Sequence, residues 1–428
     1  MKSAVGLATS VLLEAALPVV RTIALARLLP QDQFGIAITV LATIGIVEMC
    51  CDVGFPQSAI RGSTTVPMRS YIGTLHTLSS ARAVVMMLLV VAILGLQQMT
   101  LDSSFGPDLF VLAALILGLR AFENLTMKQL SRQYDFWREA VLMSGAQIVW
   151  TSVTIASALI SPSYASMFHG MLAASLWIAV YSNLVVADRW QASWNTDAAR
   201  DALKFGAPLI PNGIASAIGS TDRLVISNFL GTRQVAIYGV AISLATLPRA
   251  VLWKFSLSML VPHFANLMAT PEKELKFYGR WMLFVSVIAS LYGIALITLG
   301  PWVVQVAFGP AYVPPDLLMA LIAVNVFIKL MMLVPVPAAF ARGQTSIVFL
   351  GSMVSAVAAV PACLTLVFGM RSLETFVLAL NIFEGIGLVW FLLHTSRQHG
   401  LRQPIALTAI VAPILALGSL TAAAWARG

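Results

Sequence analysis

Charged side chains recur inside the long apolar stretches of this 428-residue chain. A charge at the centre of a bilayer costs at least about 2.5–3.5 kcal/mol, so charges at such positions indicate a function or a partner. Arginine binds phosphate through two parallel hydrogen bonds, and lysine adds a point charge. The cations therefore predict an anionic substrate, and the acids predict counter-ions or carriers of a coupling proton. The cations are Arg21, Arg82, Arg120, Arg223, Arg249, Lys254 and Lys329, and the acids are Glu14, Glu48, Asp52, Glu123, Asp222 and Glu384.

The spacing of some of these charges predicts pairs. Glu14 and Arg21 are seven residues apart, which corresponds to two turns along one face of a helix. Arg120 and Glu123 are three residues apart, which also predicts a shared helix face. Both pairs are expected to place an acid beside a cation within one helix.

Asp222 and Arg223 are adjacent, so their side chains point in different directions and need partners on other helices. For every charge, an alternative to transport is a structural ion pair between helices. A water-filled central cavity explains the whole set better, because hydrated charges avoid most of the cost of entering hydrocarbon.

The high apolar content of the chain indicates that membrane-spanning helices position these charged groups. Apolar residues make up 59% of the chain and charged residues only 10%, whereas a soluble domain carries about 25% charged residues. About 20 apolar residues span a bilayer, and such runs recur from end to end. We predict an all-α polytopic membrane protein. Thirteen spans are expected near residues 3–25, 34–56, 70–97, 108–128, 138–160, 164–187, 204–230, 235–261, 277–301, 315–340, 346–368, 373–395 and 404–426.

The distribution of basic residues predicts the orientation in the membrane. With the N-terminus in the cytoplasm, 15 of the 26 lysines and arginines lie in inside segments, 4 lie outside and 7 lie within spans. Basic residues are enriched in cytoplasmic loops. The net charge of +8 is therefore assigned to the cytoplasmic loops and not to nucleic-acid binding.

A short sequence motif occurs twice. Residues 34–39 read Phe-Gly-Ile-Ala-Ile-Thr and residues 238–243 read Tyr-Gly-Val-Ala-Ile-Ser, each after a short polar turn. The offset of 204 residues covers six predicted spans. An even number of spans gives two halves of the same orientation, as in transporters with parallel repeats.

Two features of the loops and spans suggest further elements. The longest inside loop, 188–203, is expected to form a short amphipathic helix on the membrane surface. Prolines at two sites, Pro208 with Pro211 and Pro335 with Pro337, are candidate hinges, because breaks in membrane helices accompany movement in transporters.

Several classes of site lack their sequence signature. The chain contains no GxxxxGK[ST] run, which argues against an ATP-driven pump. Neither HExxH nor GxSxG occurs, and the five histidines are scattered. We therefore predict no metal site, no cofactor and no catalytic residues.

The sequence resembles the bacterial polysaccharide and O-antigen flippases (Wzx type) of the multidrug/oligosaccharidyl-lipid/polysaccharide exporter superfamily. In the first half the resemblance lies in residues 21–35, from Arg21 to Gly35, followed by Asp52-Val-Gly54. In the second half it lies in residues 205–209, 222–231 and 235–241. It extends through most of the chain and says little about the substrate.

The resemblance implies a fold and a function. The fold has twelve to fourteen transmembrane helices in two six-helix lobes around a central cavity, here assigned to 1–200 and 201–396, with an additional helix in 397–428. The function is the flipping of undecaprenyl-pyrophosphate-linked oligosaccharide across the cytoplasmic membrane by alternating access. The protein would not be an enzyme, and a proton or sodium gradient would supply the energy. Expected partners are membrane lipids, a polysaccharide polymerase and a chain-length regulator.

The site hypothesis combines the charges with this substrate. Five cations are expected to meet the pyrophosphate or acidic sugars, and three acids are expected to act as counter-ions or proton carriers. The cations are Arg21, Arg82, Arg120, Arg223 and Lys329, and the acids are Glu14, Glu123 and Asp222.

Three other functions stay open. A drug or cation exporter of the same superfamily would have a cavity dominated by carboxylates. A membrane-embedded glycan polymerase would need a large outside loop with catalytic residues. A purely structural or assembly subunit would have little use for a charged interior.

Overall fold

The computed structural model contains two compact units, one ending at Ala217 and the other beginning at Ile218. All regular elements of the described residues are helices. The predicted thirteenth span, 404–426, lies outside the described residues apart from Gly418, and the predicted lobe limits stay predictions. The structure describes residues 2–63, 66–100, 106–132, 136–267, 270–342, 345–369, 371–399 and 418.

Unit 1 is built from long helices joined by short helical segments. A 3₁₀ turn, Leu125–Met127, precedes the sixth helix. The helices are α1 (Lys2–Leu28), α2 (Gln31–Cys50), α3 (Phe55–Arg61), α4 (Met68–Thr100), α5 (Pro107–Arg120), α6 (Lys128–Arg132), α7 (Phe136–Ile160), α8 (Ala165–Val185) and α9 (Thr196–Gly206), followed by α10 (Leu209–Gly219), which reaches the division between the units.

Unit 2 is similarly helical. Two 3₁₀ turns, Pro310–Tyr312 and Met331–Leu333, interrupt its longer elements. The helices are α11 (Asp222–Leu230), α12 (Thr232–Leu267), α13 (Pro271–Ala307), α14 (Asp316–Leu330), α15 (Pro335–Ala341), α16 (Thr345–Val367) and α17 (Leu373–His399).

Seven segments of the described chain are long and apolar enough to cross a bilayer. The prediction of an all-α, multi-pass membrane protein is therefore confirmed. The seven segments are Gln31–Cys50, Met68–Met99, Trp137–Ile160, Ala165–Val185, Pro271–Ala307, Asp316–Ala341 and Leu373–Leu393.

Several predicted spans are interrupted, so the expectation of continuous helices is wrong there. Gly54 has a left-handed φ of 64°, which ends the second predicted span before α3. Asn124 starts a 3₁₀ turn by accepting the Thr126 N–H, so the fourth span ends at Arg120. Pro208 lies in the break between α9 and α10, and Pro335 begins α15. Hinge motion at these prolines stays a prediction.

Close packing inside unit 1 depends on glycine. A Cβ at Gly145 would lie 2.6 Å from the Trp177 ring, and one at Gly170 would lie 2.0 Å from Thr154 Oγ1. Glycine at both positions lets α7 and α8 approach closely. Small residues serve this purpose between membrane helices.

The repeated motif occupies the same kind of position in both halves. In unit 1 its aromatic residue, Phe34, is 2% exposed and lies near the start of α2. In unit 2 the matching Tyr238 is also 2% exposed and lies in the first turns of α12. The motif therefore contributes a buried aromatic anchor to the core of each unit.

The predicted amphipathic helix in 188–203 is present only in part. Helix α9 begins at Thr196, where the Asn195 side chain accepts the first free N–H groups. Its buried alanines, Ala198 and Ala202, pack in a cluster with residues of α3 and α4. The apolar face thus packs against protein, and the location of this helix at the membrane surface stays a prediction.

Residues 188–195, which we call the strap, lie across the start of α4. Gly73 permits this contact, because a Cβ there would lie 2.1 Å from Ser193 Oγ. The Ser193 N–H donates to the Gly73 carbonyl at 3.2 Å. The Thr77 hydroxyl donates to the Ser193 carbonyl at 2.8 Å. The strap is therefore bound to the backbone of α4.

His76 connects the strap to the turn before α6. Its Nε2 accepts the Leu125 N–H at 3.1 Å, so the neutral ring carries its proton on Nδ1. That nitrogen donates to the Gln191 carbonyl at 3.1 Å. The ring also stacks on Trp190, with centroids 5.3 Å apart. One buried imidazole thus holds two backbone segments.

We expect His76→Phe to lower the free energy of unfolding by about 1–3 kcal/mol, because it leaves the buried Leu125 N–H without an acceptor. His76→Gln retains an oxygen that can accept this bond, so it should lose less. Denaturant titration of the purified protein in detergent measures the change.

The control is His169→Phe, which removes a histidine bonded to the Ser157 hydroxyl at 2.8 Å in an exposed position. Its effect should stay within about 0.5 kcal/mol. Equal losses for the two phenylalanine variants would refute the role given to His76.

Candidate functional site

A cavity of about 240 Å³ lies among four helices of unit 1. Two predicted site residues, Glu14 of α1 and Arg120 of α5, line it together. The remaining lining comes from α7 and α8, and most of it is apolar. It consists of Met143, Ala146, Gln147, Trp150, Met171, Ala174, Ser175 and Ile178.

Arg21 lies beside this cavity and is only 4% exposed. Its Nη1 donates to Gln147 Oε1 at 3.4 Å, and its guanidinium carbon lies 3.7 Å from the centre of the Trp150 ring. Both partners line the cavity. Its Nε has no hydrogen-bond partner among the described residues.

The surroundings of Arg21 leave binding capacity available. Stacking on an aromatic face stabilises a desolvated cation by about 2 kcal/mol or more. The guanidinium carries five N–H donors, and no described carboxylate forms an ion pair with it. Arg21 is therefore held in place while it retains donors for an anion.

Arg120 forms its ion pair with Glu48, near the C-terminal end of α2. The predicted shared face with Glu123 is wrong, because α5 ends at Arg120 and Glu123 lies beyond the helix. Glu48 is one of the acids in the apolar stretches, but it is not among the site residues that the sequence predicts. The side chains of Arg120 and Glu48 are 30% and 29% exposed, so the pair is only partly buried in the protein.

Glu123 belongs to a different group of charges. Lys128 Nζ lies 3.5 Å from Glu123 Oε1 and 2.9 Å from Glu139 Oε1. Burial lowers the pKa of Lys128, but the neighbouring Glu123 and Glu139 charges outweigh it and raise the pKa above its usual value. This group joins the turn before α6 to α7, and Glu123 does not line the cavity.

Arg82 is also separate from the cavity. Its Nη1 lies 3.9 Å from Asp52 Oδ1, and its guanidinium carbon lies 5.5 Å from the centre of the Phe55 ring. Arg82 therefore connects α4 to the α2–α3 turn. Within unit 1 the structure unites Glu14, Arg21 and Arg120 and leaves Arg82 and Glu123 elsewhere.

Unit 2 has a polar cluster of its own between α14 and α17. Lys329 Nζ lies 3.5 Å from Glu384 Oε1. The Asn325 amide donates to Glu384 Oε2 at 2.8 Å and to Asn381 Oδ1 at 2.9 Å. Glu384 is only 3% exposed, so Lys329 and Asn325 compensate a buried carboxylate.

Asp222 and Arg223 begin α11. Asp222 Oδ2 accepts the Tyr238 hydroxyl at 2.6 Å, so its partner lies on α12. Asp222 Oδ1 accepts the Arg223 N–H at 2.9 Å within the first turn of α11. Arg223 forms no ion pair with any residue that the structure describes.

Sequence reasoning missed the neutral polar partners. Gln147 and Trp150 hold Arg21, whereas Asn325 donates to Glu384 and to Asn381. An asparagine or glutamine within an apolar run was the available signal, because such side chains bond between membrane helices.

The chain was compared with protein families and with curated proteins. A profile of the family described as "Polysaccharide biosynthesis protein" matches residues 24–315. No curated protein matches the chain in sequence.

Solved structures match over nearly the whole length. The lipid II flippase MurJ, in an inward closed conformation, has a TM-score of 0.65 and 11% identity over 99% of this chain and 97% of that chain. An inward-facing multidrug resistance MATE family transporter of the MOP superfamily has a TM-score of 0.64 and 13% identity over 90% and 95%. The Vibrio cholerae MATE transporter VcmN has a TM-score of 0.53 and 12% identity over 95% of this chain and 97% of that chain. The fold implied by the sequence resemblance is confirmed.

The Arg120–Glu48 pair can be tested for its share of stability. We expect Arg120→Gln or Glu48→Gln alone to lower the free energy of unfolding by about 1–3 kcal/mol, because each leaves one charge uncompensated near the bilayer. The double variant removes both charges and should recover part of that loss. Denaturant titration of the three variants in detergent gives the coupling energy. Strictly additive losses would show that the pair is not coupled.

Proposed function

The chain belongs to the polysaccharide biosynthesis protein family, and from this premise we propose that it flips an undecaprenyl-pyrophosphate-linked oligosaccharide across the bacterial cytoplasmic membrane. The observation that carries the proposal is the buried Arg21, which has no described carboxylate partner and is held by Gln147 and Trp150 beside the cavity. The N-terminus is proposed to lie in the cytoplasm, as the distribution of basic residues indicates.

The physical argument concerns the pyrophosphate. This group is an anion that must pass through a region where hydrocarbon surrounds the protein, and buried cations lower that barrier. Arg21 has a buried Nε without a hydrogen-bond partner among the described residues and binds the pyrophosphate first. Arg120 exchanges its bond to Glu48 for one to the substrate. The polyprenyl chain stays in lipid, because it gains nothing from leaving hydrocarbon.

Glu14 supplies the proposed link to an ion gradient. It lines the same cavity as Arg120, so its charge opposes the binding of an anion there. Uptake of a proton or a sodium ion by Glu14 removes that opposition. Substrate binding and cation binding are then favourable together, so each raises the affinity of the cavity for the other.

The remaining predicted cations have more distant roles in this proposal. Arg82 and Lys329 already have acidic partners, Asp52 and Glu384, at 3.9 and 3.5 Å. Arg223 has no such partner among the described residues and could meet acidic sugars. A polysaccharide polymerase and a chain-length regulator are the proposed protein partners, since they act on the translocated product.

The proposed function is tested by deleting the gene in its bacterial host and following the lipid-linked repeat unit. We expect the unit to accumulate on the cytoplasmic leaflet and the surface polysaccharide to disappear. Expression of the intact chain should reverse both changes. Continued appearance of the unit on the periplasmic leaflet, with loss of only the polymerised form, would refute flipping and favour a polymerase.

The role of Arg21 is tested in proteoliposomes that contain the purified chain and a fluorescent polyprenyl-pyrophosphate sugar. Arg21→Gln removes charge-assisted hydrogen bonds worth about 1.5–3 kcal/mol, so the initial rate should fall roughly 10- to 100-fold. Arg21→Lys retains the charge without the planar donor group, so its initial rate should lie between those of the unaltered chain and Arg21→Gln.

Lys204→Gln is the matched control, because it removes an exposed cation of α9 in the same unit. It should flip at the rate of the unaltered chain. An undiminished rate for Arg21→Gln at equal protein levels would exclude Arg21 as the pyrophosphate ligand. Transport of a cationic dye in place of the lipid would favour the drug-exporter alternative.

A further inference from the structure

A second and larger cleft, of about 630 Å³, lies at the loop end of unit 1. We call it the loop cleft. It is lined by the beginning of α4, by residues of the turn before α6 and by the strap. Its volume is in the range of small-molecule sites, about 300–1,000 Å³. It shares no lining residue with the cavity that contains Glu14 and Arg120.

The chemistry of the loop cleft favours an anion. Arg69 and Arg189 line it from opposite segments, α4 and the strap. Both are exposed, and neither forms an ion pair with any described residue. Ser70 and Ser193 add hydroxyl groups, and Asp188 is the one acid of the lining. Two planar guanidinium groups with nearby hydroxyls match the oxygens of a phosphate group.

The backbone that carries Arg189 is held in place by neighbouring contacts. Arg189 precedes Trp190, whose indole N–H donates to the Ala121 carbonyl at 3.2 Å and whose ring stacks on His76. Asp188 offers its carbonyl to the Asn124 amide at 2.8 Å, so the backbone on both sides of Arg189 is held. A site that is ordered before binding loses less entropy when the ligand enters.

The part of α4 that lines the loop cleft is separate from the part that exposes apolar side chains. Arg69 and His76 are seven residues apart and lie on one face near the start of α4. The exposed large apolar residues of that helix begin at Val84, eight residues and so about 12 Å along the axis beyond His76. A ligand therefore reaches the loop cleft from the end of α4 and not from its lipid-facing part.

We propose that the loop cleft binds a water-soluble, phosphate-bearing anion through Arg69 and Arg189. On the orientation proposed above, the cleft opens to the cytoplasm, where phosphorylated metabolites are present. The strap leads directly into α9, the helix that precedes α10. The site is distinct from the transport cavity and does not depend on the transported substrate.

The test uses the full chain in nanodiscs of phosphatidylcholine, with inorganic pyrophosphate as the probe and isothermal titration as the measurement. We expect the unaltered chain to bind pyrophosphate and the Arg69→Gln/Arg189→Gln double variant to bind it at least about tenfold more weakly. Arg200→Gln, which removes an exposed arginine of α9 outside the cleft, should bind within about twofold of the unaltered chain. The tenfold loss is about 1.4 kcal/mol, less than one charge-assisted hydrogen bond contributes.

A further variant tests the geometry with both arginines present. Gly73→Ala adds a Cβ against Ser193 and displaces the strap, so it should weaken pyrophosphate binding several-fold. Unchanged affinity in this variant would contradict the argument that the strap positions Arg189.

Three results would overturn the proposal. The first is no binding of pyrophosphate at millimolar concentration. The second is binding that Arg21→Gln abolishes and the cleft variants leave intact, which would assign the signal to the transport cavity. The third is a response only to phosphatidylglycerol in the nanodisc, which would make the ligand a lipid headgroup.

Discussion

A charge inside a bilayer requires compensation by protein or water, and the helices of this chain are interrupted and packed in ways that supply it. Arg120 ends α5 and pairs with Glu48 of α2. Arg82 faces Asp52 of the turn that Gly54 makes possible. The breaks in the helices therefore help to stabilise the charges, because they place ionisable groups at the ends of apolar segments.

The two units satisfy this requirement differently. Unit 2 gives the buried Glu384 an ion pair with Lys329 and a hydrogen bond from Asn325, whose amide also donates to Asn381, so the carboxylate has a cation and an amide partner. Unit 1 keeps Arg21 almost fully buried with one glutamine and an aromatic face. The Glu384 carboxylate in unit 2 is compensated by its neighbours, whereas the Arg21 guanidinium in unit 1 has N–H donors that are not used. This difference is why the anion-binding role is assigned to unit 1.

Outside the apolar segments, hydrogen bonds and an ion pair hold the connecting segments of unit 1. Arg61 pairs with Asp201, and Asn124 donates to the Asp188 carbonyl. His76 joins the strap to the turn before α6. Such networks make the loop end an ordered platform in a place where connecting segments are usually mobile. The cavity lined by Glu14 and Arg120 and the loop cleft are thus built by different means, one from packed helices and the other from a bonded loop.

The sequence by itself determined the class of protein, because apolar runs of about 20 residues with few charges have no stable alternative to a membrane helix. It also identified which charges lie in those runs, and the residues from Arg21 to Gly54 indicated the family. Local rules account for several boundaries, such as the cap at Asn195 and the left-handed Gly54. These features depend on a few neighbouring residues.

Only the tertiary structure decided which charges meet. Arg120 pairs across 72 residues with Glu48 and not with the nearby Glu123, and Arg21 meets Gln147 across 126 residues. The partner of a membrane charge depends on which helix faces it, and helix packing is set by small residues such as Gly145 and Gly170 far along the chain. Spacing within one helix carries no record of those contacts, because they exist only once the helices have packed.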